Sequence, residues 1–318
     1  MMNEIIKEEY PELINYNNLE IQKAITKAPY LVDFIKADDD VVKSEKALIT
    51  SANKKFNEAK TSTKIKFEKI LKDRKIDTKE FDETLSSVTD IAVAELGEYI
   101  LYRDNIIKGL ELAIKDSAKK EEYIHNIFML KNTVDDGKND KHLLSNLWLL
   151  DDKFMSYVQA FSDKSIKNIS EEDEKSKMID ISGILHRPDL TLFYSNSSNG
   201  KKDVVMIELK GANANKEEKK KAVTELPDDI SILRDAMGEK VNVVWGYIIT
   251  SIDEFLLRTL NTQDFRMLFA TNGESKMYYK YYGNINAHIY VIDLQTICDD
   301  AFARNKTFLD ILKKRADN

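Results

Sequence analysis

The sequence of 318 residues carries 48 lysine and arginine residues against 55 aspartate and glutamate residues, a net charge of −7 at pH 7. This balance supplies no global basic surface, so charge alone does not predict nonspecific binding to nucleic acid. No apolar run approaches the roughly 18 residues of a membrane-spanning helix, and the N-terminus has no signal-peptide pattern. A single cysteine, Cys298, excludes an internal disulfide framework and a zinc ribbon. We therefore expect a cytoplasmic protein with no membrane association.

The N-terminal part of the sequence is predicted to be helical, because residues 1–118 contain almost no strand signals. Spaced apolar residues predict one or two short helices over 19–36 and a lightly packed pair of helices over 41–71. A broad apolar face predicts a strong helix over 92–114. We expect residues 1–84 to form a separate helical region, an arm for interaction or dimerisation, and the protein to be a homo-oligomer.

The segment 121–130 is predicted to be a further helix with an apolar face that includes Ile124 and Phe128. Glu121 lies three and seven positions before these two residues and therefore shares their face. A glutamate in a first helical turn also complements the helix dipole, so this placement alone assigns no function to it. The dense apolar run that follows, 143–161, is predicted to be a buried segment that ends as helix.

Two short apolar runs, Leu190–Tyr194 and Val204–Leu209, are rich in β-branched and aromatic residues and are separated by a polar stretch. This pattern predicts a β-hairpin with a loose turn. Asp189 begins the first strand, whereas Glu208 and Lys210 end the second. Folding of the hairpin should therefore bring Asp189 close to Glu208 and Lys210. The strand period of two places Glu208 and Lys210 on the same face.

The remainder of the sequence alternates between helices and strands. Lys216–Met237 is predicted to be a helix interrupted around Pro227, and Val241–Thr250 is predicted to be a strong buried strand. Further elements are predicted at 252–260 (helix), 265–270 (short helix or strand), 277–282 and 287–293 (strands) and 294–312 (helix). We therefore expect residues 85–318 to form an α+β or α/β domain in which a mixed sheet is flanked by helices as an α/β/α sandwich.

The end of the predicted hairpin has the chemistry of a divalent-cation site. Hard cations such as Mg²⁺ and Mn²⁺ prefer carboxylate, carbonyl and water oxygens, and Asp189, Glu208 and the carbonyl of Leu209 could supply them. A cation there would neutralise a phosphate and activate a water molecule. Lys210 could orient that water or help to deprotonate it, and could stabilise the charge that develops on the phosphate. The alternative is a solvent-facing salt bridge at a strand end, which contributes little to stability.

Basic residues are concentrated near the hairpin. Lys216, Lys220 and Lys221 lie at the start of the helix that follows it, and Arg187 lies just before it. These side chains are candidates for contacts with nucleic-acid phosphates, and the alternative is an ordinary solvated surface. The four histidines lack the spacing of a shared zinc site. Among them, His186 either approaches the hairpin end or has a packing or capping role.

The pattern Pro188-Asp189 and, nineteen positions later, Glu208-Leu209-Lys210 resembles the core motif of the PD-(D/E)xK nuclease superfamily. The resemblance implies a restriction-endonuclease-like core and a metal-dependent endonuclease that uses Mg²⁺ or Mn²⁺. It also implies that Asp189, Glu208 and Leu209 ligate the metal and that Lys210 is catalytic. A further glutamate from a helix before the hairpin is implied as well, with Glu121 as the candidate and Glu122 in reserve.

A narrower resemblance is carried by six stretches: Glu95–Ile100, Ile124–Phe128, Asn146–Phe154, Arg187–Leu190, Ile207–Lys210 and Ala303–Phe308. They are similar to the C-terminal half of bacterial proteins that join a GHKL-type ATPase to a restriction-endonuclease-like domain, and to the Shedu antiviral-defence nucleases. The resemblance implies DNA as the substrate and defence against phage or other foreign DNA as the setting. Because this sequence contains no Gly-rich nucleotide-binding loop, control by a GHKL-type ATPase is expected in trans.

The sequence departs from the family pattern in two places. Gly211-Ala212 stands where relatives tend to carry Arg-Pro. Many members also place a glutamine or lysine on the helix after the motif, but no glutamine occurs between Lys210 and Gln263. Two alternatives follow: Lys220 or Lys221 takes that role, or the role is absent. These departures favour an alternative function, a catalytically inactive nucleic-acid-binding or scaffold module of a defence complex that assembles through its N-terminal helices.

Overall fold

The computed structural model describes residues 19–35, 44–72, 78–116, 121–135, 145–166, 169, 186–195, 200–268 and 276–316. The chain divides into two compact units. The first contains the described residues up to Asp104 and those from Asn305 onward, and the second spans Asn105–Arg304. The functional division that the sequence predicts between residues 84 and 85 stays a prediction.

The first unit is helical, as predicted. It contains α1 (Leu19–Lys27), a 3₁₀ segment (Pro29–Phe34), α2 (Glu45–Lys72) and the first part of α3 (Thr78–Lys115), with the last turns of the C-terminal helix. Its core is a cluster of buried apolar residues that includes Leu31, Leu48 and Phe56. The prediction of a helix pair over 41–71 was wrong, because α2 is one continuous helix, in which Leu48, Ala52 and Phe56 are buried.

The second unit is built on one mixed sheet. Its elements are α4 (Glu121–Phe128), β1 (Val134–Asp135), β2 (Gln159–Ser162), β3 (Leu190–Ser195), β4 (Lys202–Leu209), α5 (Lys216–Met237), β5 (Val241–Thr250), α6 (Glu254–Thr262), β6 (Arg266–Leu268), β7 (Met277–Tyr282), β8 (Ala287–Asp293) and α7 (Leu294–Ala316), which continues into the first unit. The eight strands have the order β1-β2-β3-β4-β5-β8-β7-β6. β5 pairs in parallel with β4 and with β8, and the other neighbours are antiparallel. Helices with a mixed sheet agree with the predicted α+β class.

The predicted hairpin is confirmed. β3 and β4 pair antiparallel from Leu190↔Ile207 at the open end to Ser195↔Lys202 at the turn. Asp189 directly precedes the first paired residue of β3, and Lys210 directly follows the last residue of β4. The pairing therefore brings the two ends of the motif together, as the sequence predicts.

Helices cover both faces of the sheet. On one face, Ile207 of β4 belongs to a buried cluster with Ile124 and Phe128 of α4. On the other face, Met206 of β4 belongs to a buried cluster with Leu226 of α5. Successive residues of a strand point to opposite faces, so Glu208 lies on the same face as Met206, the face that α5 covers.

Two further sequence predictions, both about elements of the second unit, were wrong. The helix predicted to break around Pro227 runs without interruption from Lys216 to Met237. Proline removes one backbone donor, but Leu226 and Ile230 on either side of it are buried against the sheet and hold the helix together. The helix predicted to continue to residue 160 is instead a short 3₁₀ segment followed by β2, because residues 159–162 pair with β3.

None of the helices in the described ranges combines the length and the apolar character that crossing a lipid bilayer requires.

Candidate active site

Asp189 is held rigidly at the open end of the hairpin. Its side chain is almost fully buried, and its Oδ2 accepts a hydrogen bond of 2.7 Å from the backbone N–H of Leu209 on the opposite strand. Its backbone carbonyl accepts a hydrogen bond of 2.8 Å from the N–H of Asp163, which follows β2. Three neighbouring strands therefore fix the position of this carboxylate.

Glu208 and Lys210 form an ion pair at the end of β4. Lys210 Nζ lies 2.7 Å from Glu208 Oε1, and the side chains of Lys210 and Glu208 are only 16% and 14% exposed. The backbone N–H of Lys210 donates a hydrogen bond to the carbonyl of Ile249 in the adjacent parallel strand β5. The pair is therefore attached to the centre of the sheet rather than to a free strand end, so the predicted solvent-facing salt bridge does not describe it.

Glu121 extends this group of charges. It is the first residue of α4, and its Oε1 lies 3.8 Å from Lys210 Nζ, so the ammonium of Lys210 is near two carboxylates. Gly211 lies next to the start of α4, since a Cβ there would be in ordinary van der Waals contact, at 3.7 Å, with the backbone N and Cα of Glu121. The reserve candidate, Glu122, is exposed to solvent.

The carbonyl of Leu209 is directed toward the same place. In an extended strand, the N–H and C=O of one residue point to the same side. The N–H of Leu209 donates to Asp189, whereas the N–H of the next residue, Lys210, donates to β5. The Leu209 carbonyl therefore points away from β5 and toward the end of β3 where Asp189 lies.

Burial dominates the electrostatics of the site. It raises the pKa of Asp189 above its ordinary value, although the Leu209 N–H and the charge of Lys210 oppose the shift. Burial also raises the pKa of Glu208, and the charge of Asp189 adds to the increase. For Lys210, burial acts to lower the pKa, but Glu208 outweighs it and the pKa is raised. The carboxylates of Asp189 and Glu208 repel each other in a poorly solvated site, and the ammonium of Lys210 is the positive charge near them. Such a site favours the binding of a further positive charge.

These donors fit a hard divalent cation. Asp189 and Glu208 use one oxygen each for the contacts described above, which leaves Asp189 Oδ1, Glu208 Oε2 and the Leu209 carbonyl as oxygen ligands. Oxygen donors of this kind suit Mg²⁺ or Mn²⁺, whose remaining positions are commonly filled by water and substrate phosphate. In the part of the chain that is described, no three His, Cys, Asp or Glu side chains cluster as metal ligands.

His125 is a residue of this site that the sequence did not single out. It is completely buried in α4, with Nδ1 at 3.0 Å from the carbonyl of Met129 and Nε2 at 3.2 Å from the carbonyl of Asp189. Burial lowers its pKa. The position of His125 four residues after Glu121 was the available signal, because residues with that spacing share a helix face.

The basic residues predicted to contact nucleic acid are on the surface, but the structure does not bring them all to the hairpin end. Arg187, Lys216 and Lys220 are exposed. Lys216 Nζ lies over the ring of Phe255 at 5.4 Å, and Lys221 pairs with Glu225 on its own helix at 3.2 Å. A lysine that was not selected, Lys219, is buried and pairs with Asp253 at 2.8 Å. The lysine-rich part of the sequence therefore includes residues with structural roles.

Comparison with protein-family models, with curated proteins and with solved structures found no match for this chain. What the site can do chemically therefore follows from its own side chains. Asp189, Glu208, Lys210 and Glu121 converge, as the sequence predicts, and offer oxygen ligands together with a fixed ammonium.

Proposed function

We propose that this protein is a metal-dependent endonuclease that hydrolyses DNA phosphodiester bonds at a PD-(D/E)xK site. The observation that carries the proposal is the convergence of Asp189, Glu208 and Lys210 at one end of the β3–β4 hairpin, with Glu121 of α4 beside them. A mixed sheet with helices on both faces supports the restriction-endonuclease-like core that this function implies.

The proposed cofactor is Mg²⁺ or Mn²⁺, held by the carboxylates of Asp189 and Glu208 and by the carbonyl of Leu209. When bound, the cation supplies positive charge that neutralises the phosphate and makes the attacking water more acidic. Binding is favoured because both carboxylates have raised pKa values that reflect the cost of burying their charge. A cation removes that cost by pairing with the charge.

Lys210 is the residue proposed to position the attacking water and to stabilise the negative charge that develops on the phosphate. Its raised pKa means that it acts as a charged donor rather than as a base. Glu208 and Glu121 hold its ammonium at 2.7 and 3.8 Å, which restricts the flexible side chain to one region. Glu121 thereby assists catalysis through Lys210.

The biological setting that we propose is defence against phage or other foreign DNA in the cytoplasm. It is supported by the resemblance to Shedu nucleases and to the nuclease region of GHKL ATPase–nuclease proteins. The same resemblance supports control by a GHKL-type ATPase in trans. Assembly as a homo-oligomer through the N-terminal helices is proposed because that part of the chain is helical and because cleavage of two strands often needs paired sites.

A cleavage assay tests this proposal. Purified protein is incubated with supercoiled and linear plasmid DNA in Mg²⁺, in Mn²⁺ and in EDTA, and Lys210→Ala is compared with Lys115→Ala. Lys115 is a suitable control because it also pairs with a glutamate, Glu111, but on an exposed helix surface. We expect cleavage by the wild type and by Lys115→Ala, and none in EDTA or by Lys210→Ala. Equal cleavage by the two variants would contradict the proposed role of Lys210.

A second candidate function is a nucleic-acid-binding or scaffold module that keeps the fold without cleavage. The ion pair between Lys210 and Glu208 favours it, because the pair already neutralises one of the two carboxylates without a metal. The departures at Gly211-Ala212 and the missing glutamine point in the same direction. This candidate predicts that the wild type binds DNA but cuts it in neither metal, and that Lys210→Ala binds equally well.

A further inference from the structure

A second pair of ionisable side chains joins the segment before β3 to the helix α5. His186 Nδ1 lies 2.5 Å from Asp229 Oδ1. The Asp229 side chain is 8% exposed, whereas that of His186 is 43% exposed. The backbone carbonyl of His186 accepts a hydrogen bond of 3.0 Å from the N–H of Ile166, which fixes the chain at this point. A buried carboxylate therefore holds a half-exposed imidazole in one orientation.

The contact determines which nitrogen of the imidazole is available. An ionised carboxylate only accepts hydrogen bonds, so Nδ1 of His186 carries a proton and donates it to Asp229. Nε2 is left as the nitrogen that can exchange a proton with another molecule, on a side chain that is 43% exposed. A carboxylate–imidazole pair of this kind fixes the tautomer and stabilises the charged imidazole in proton-transfer catalysis.

The pair lies beside the candidate active site. His186 is three residues before Asp189 in the sequence. Burial raises the pKa of Asp229 to about 6; His186 opposes the shift, and the charges of Glu208 and Glu225 add to it. Asp229 lies on α5, the helix that covers the face of the sheet on which Glu208 lies. Asp229 also has a structural role, because it joins α5 to the chain before β3. That role alone would not require the imidazole of His186 to be exposed to solvent.

We propose that His186 is the general acid of the reaction and that Asp229 is its positioning residue, an inference that rests on the nuclease function proposed above. The oxygen of the attacking water forms a bond to phosphorus, and the bond from phosphorus to the bridging oxygen breaks. The proton on Nε2 of His186 moves to that departing oxygen and gives an alcohol. The attacking water releases a proton to solvent water, and solvent returns a proton to His186. The net reaction is phosphodiester plus water to phosphomonoester plus alcohol.

The leaving oxygen provides a test that a structural role would not affect. The end groups of the wild-type products first identify which bridging oxygen departs and where a defined oligonucleotide is cut. That oxygen is then replaced by sulfur in an otherwise identical oligonucleotide. A thiolate departs without protonation, so the sulfur substrate does not need a general acid, whereas all flanking phosphates are retained.

The variants are His186→Asn and His186→Gln, with Asp229→Asn for the positioning role. The asparagine amide can replace Nδ1 and keep the contact with Asp229, and the glutamine amide can replace Nε2 as a hydrogen-bond donor, but neither transfers a proton. We expect both His186 variants to cut the oxygen substrate about 10²- to 10⁴-fold more slowly than the wild type, the usual contribution of a general acid. We expect them to cut the sulfur substrate at nearly the wild-type rate, and Asp229→Asn to show the same selectivity with a smaller loss.

Three results would overturn the proposal. An equal loss on both substrates would assign His186 to phosphate binding or to structure, and no loss on either would remove it from the reaction. In both cases the nuclease function would stand, because the wild type cuts. No cleavage of either substrate by the wild type in Mg²⁺ or Mn²⁺ would overturn the nuclease function and the general acid together.

Discussion

Asp189 is a buried carboxylate whose surroundings disfavour its charged form, and the stability of the protein should depend on pH for that reason. Its pKa in the folded state is raised by burial, above the value of about 3.9 for an unfolded chain. The stabilising contribution of this group is therefore complete below about pH 4 and is lost as the pH rises through the folded-state pKa. Above that pH the folded protein carries a poorly solvated negative charge.

Asp189→Asn should remove this pH dependence. The amide keeps an oxygen that can accept the Leu209 N–H but never becomes charged. We expect the free energy of unfolding of the variant, relative to the wild type, to increase by about 1–3 kcal/mol between pH 5 and pH 8, since one pKa unit corresponds to about 1.4 kcal/mol. Thermal or urea unfolding in EDTA measures it. A difference that is the same at both pH values would contradict the assignment.

His125 should affect metal affinity through the backbone of Asp189. Its two ring nitrogens lie beside the carbonyls of Met129 and Asp189, and loss of such supporting contacts commonly costs about 10- to 100-fold in metal affinity. We expect His125→Ala to weaken Mn²⁺ binding by such a factor, measured by calorimetric titration. Cys298→Ala, a truncation of another buried residue on the same face of the sheet, should leave affinity unchanged. Equal affinity of the two variants would restrict His125 to packing.

The site residues that the sequence identified and those that it missed differ in how far their contact partners lie along the sequence. Asp189, Glu208 and Lys210 were predictable because one hairpin brings them together. His125 was not selected and the role of His186 was left open between two alternatives, since their partners lie 64 and 43 positions away in the sequence. Their contacts depend on how helices pack against the sheet, and a single sequence does not encode that packing as a periodic pattern.

At the scale of elements, α5 is positioned by a close approach to β5. Leu226 and Ile230 of α5 pack directly over Gly246. A Cβ at Gly246 would lie 3.0 Å from Leu226 Cδ2, 3.1 Å from Ile230 Cδ1 and 3.3 Å from Ile289 Cγ1. These side chains are all buried, so they cannot all move aside. The glycine therefore sets the distance between the sheet and the helix that carries Asp229.

Gly246→Ala and Gly109→Ala should have effects of opposite sign. Overpacking at Gly246 should lower the free energy of unfolding by about 1–3 kcal/mol. Gly109 lies within α3, where a Cβ would meet no heavy atom within 4 Å apart from the helix's own nearby backbone, so alanine there should raise stability by about 0.5–1 kcal/mol through helix propensity. Urea unfolding of the two variants measures both effects. An unchanged free energy of unfolding in Gly246→Ala would show that the packing of α5 does not depend on its close approach to β5.

The contrast between local sequence patterns and long-range contacts also explains which elements were predicted. The hairpin, β5, β7 and β8 have strong apolar patterns of their own, and they lie where the sequence places them. β2 has only four residues at the side of the hairpin, and pairing with β3 determines its conformation. α5 continues through Pro227 because its buried face outweighs one lost backbone hydrogen bond. Where tertiary contacts override local preference, the sequence-based prediction failed.

At the scale of the whole molecule, a net charge of −7 must be reconciled with binding to DNA. Any affinity has to come from local basic residues, and Lys216 and Lys220 are exposed on α5 just after the candidate site. We expect Lys216→Gln and Lys220→Gln each to weaken DNA binding in EDTA and to reduce the slope of log affinity against log salt by about 1. Lys221→Gln should have a smaller effect, because Lys221 already pairs with Glu225. An unchanged salt slope in all three variants would place the DNA elsewhere.

Asp189 and Glu208 are proposed to hold one divalent cation together, and calorimetric titration with Mn²⁺ tests this most directly. We predict a saturable Mn²⁺ site in the wild type, a loss of affinity of about 10-fold or more in Asp189→Asn and in Glu208→Gln, and no change in Glu217→Gln, a control at an exposed position of α5. Competition by Mg²⁺ for the same site is part of the prediction. Absence of saturable binding in the wild type, or binding that both site variants retain unchanged, would contradict the account.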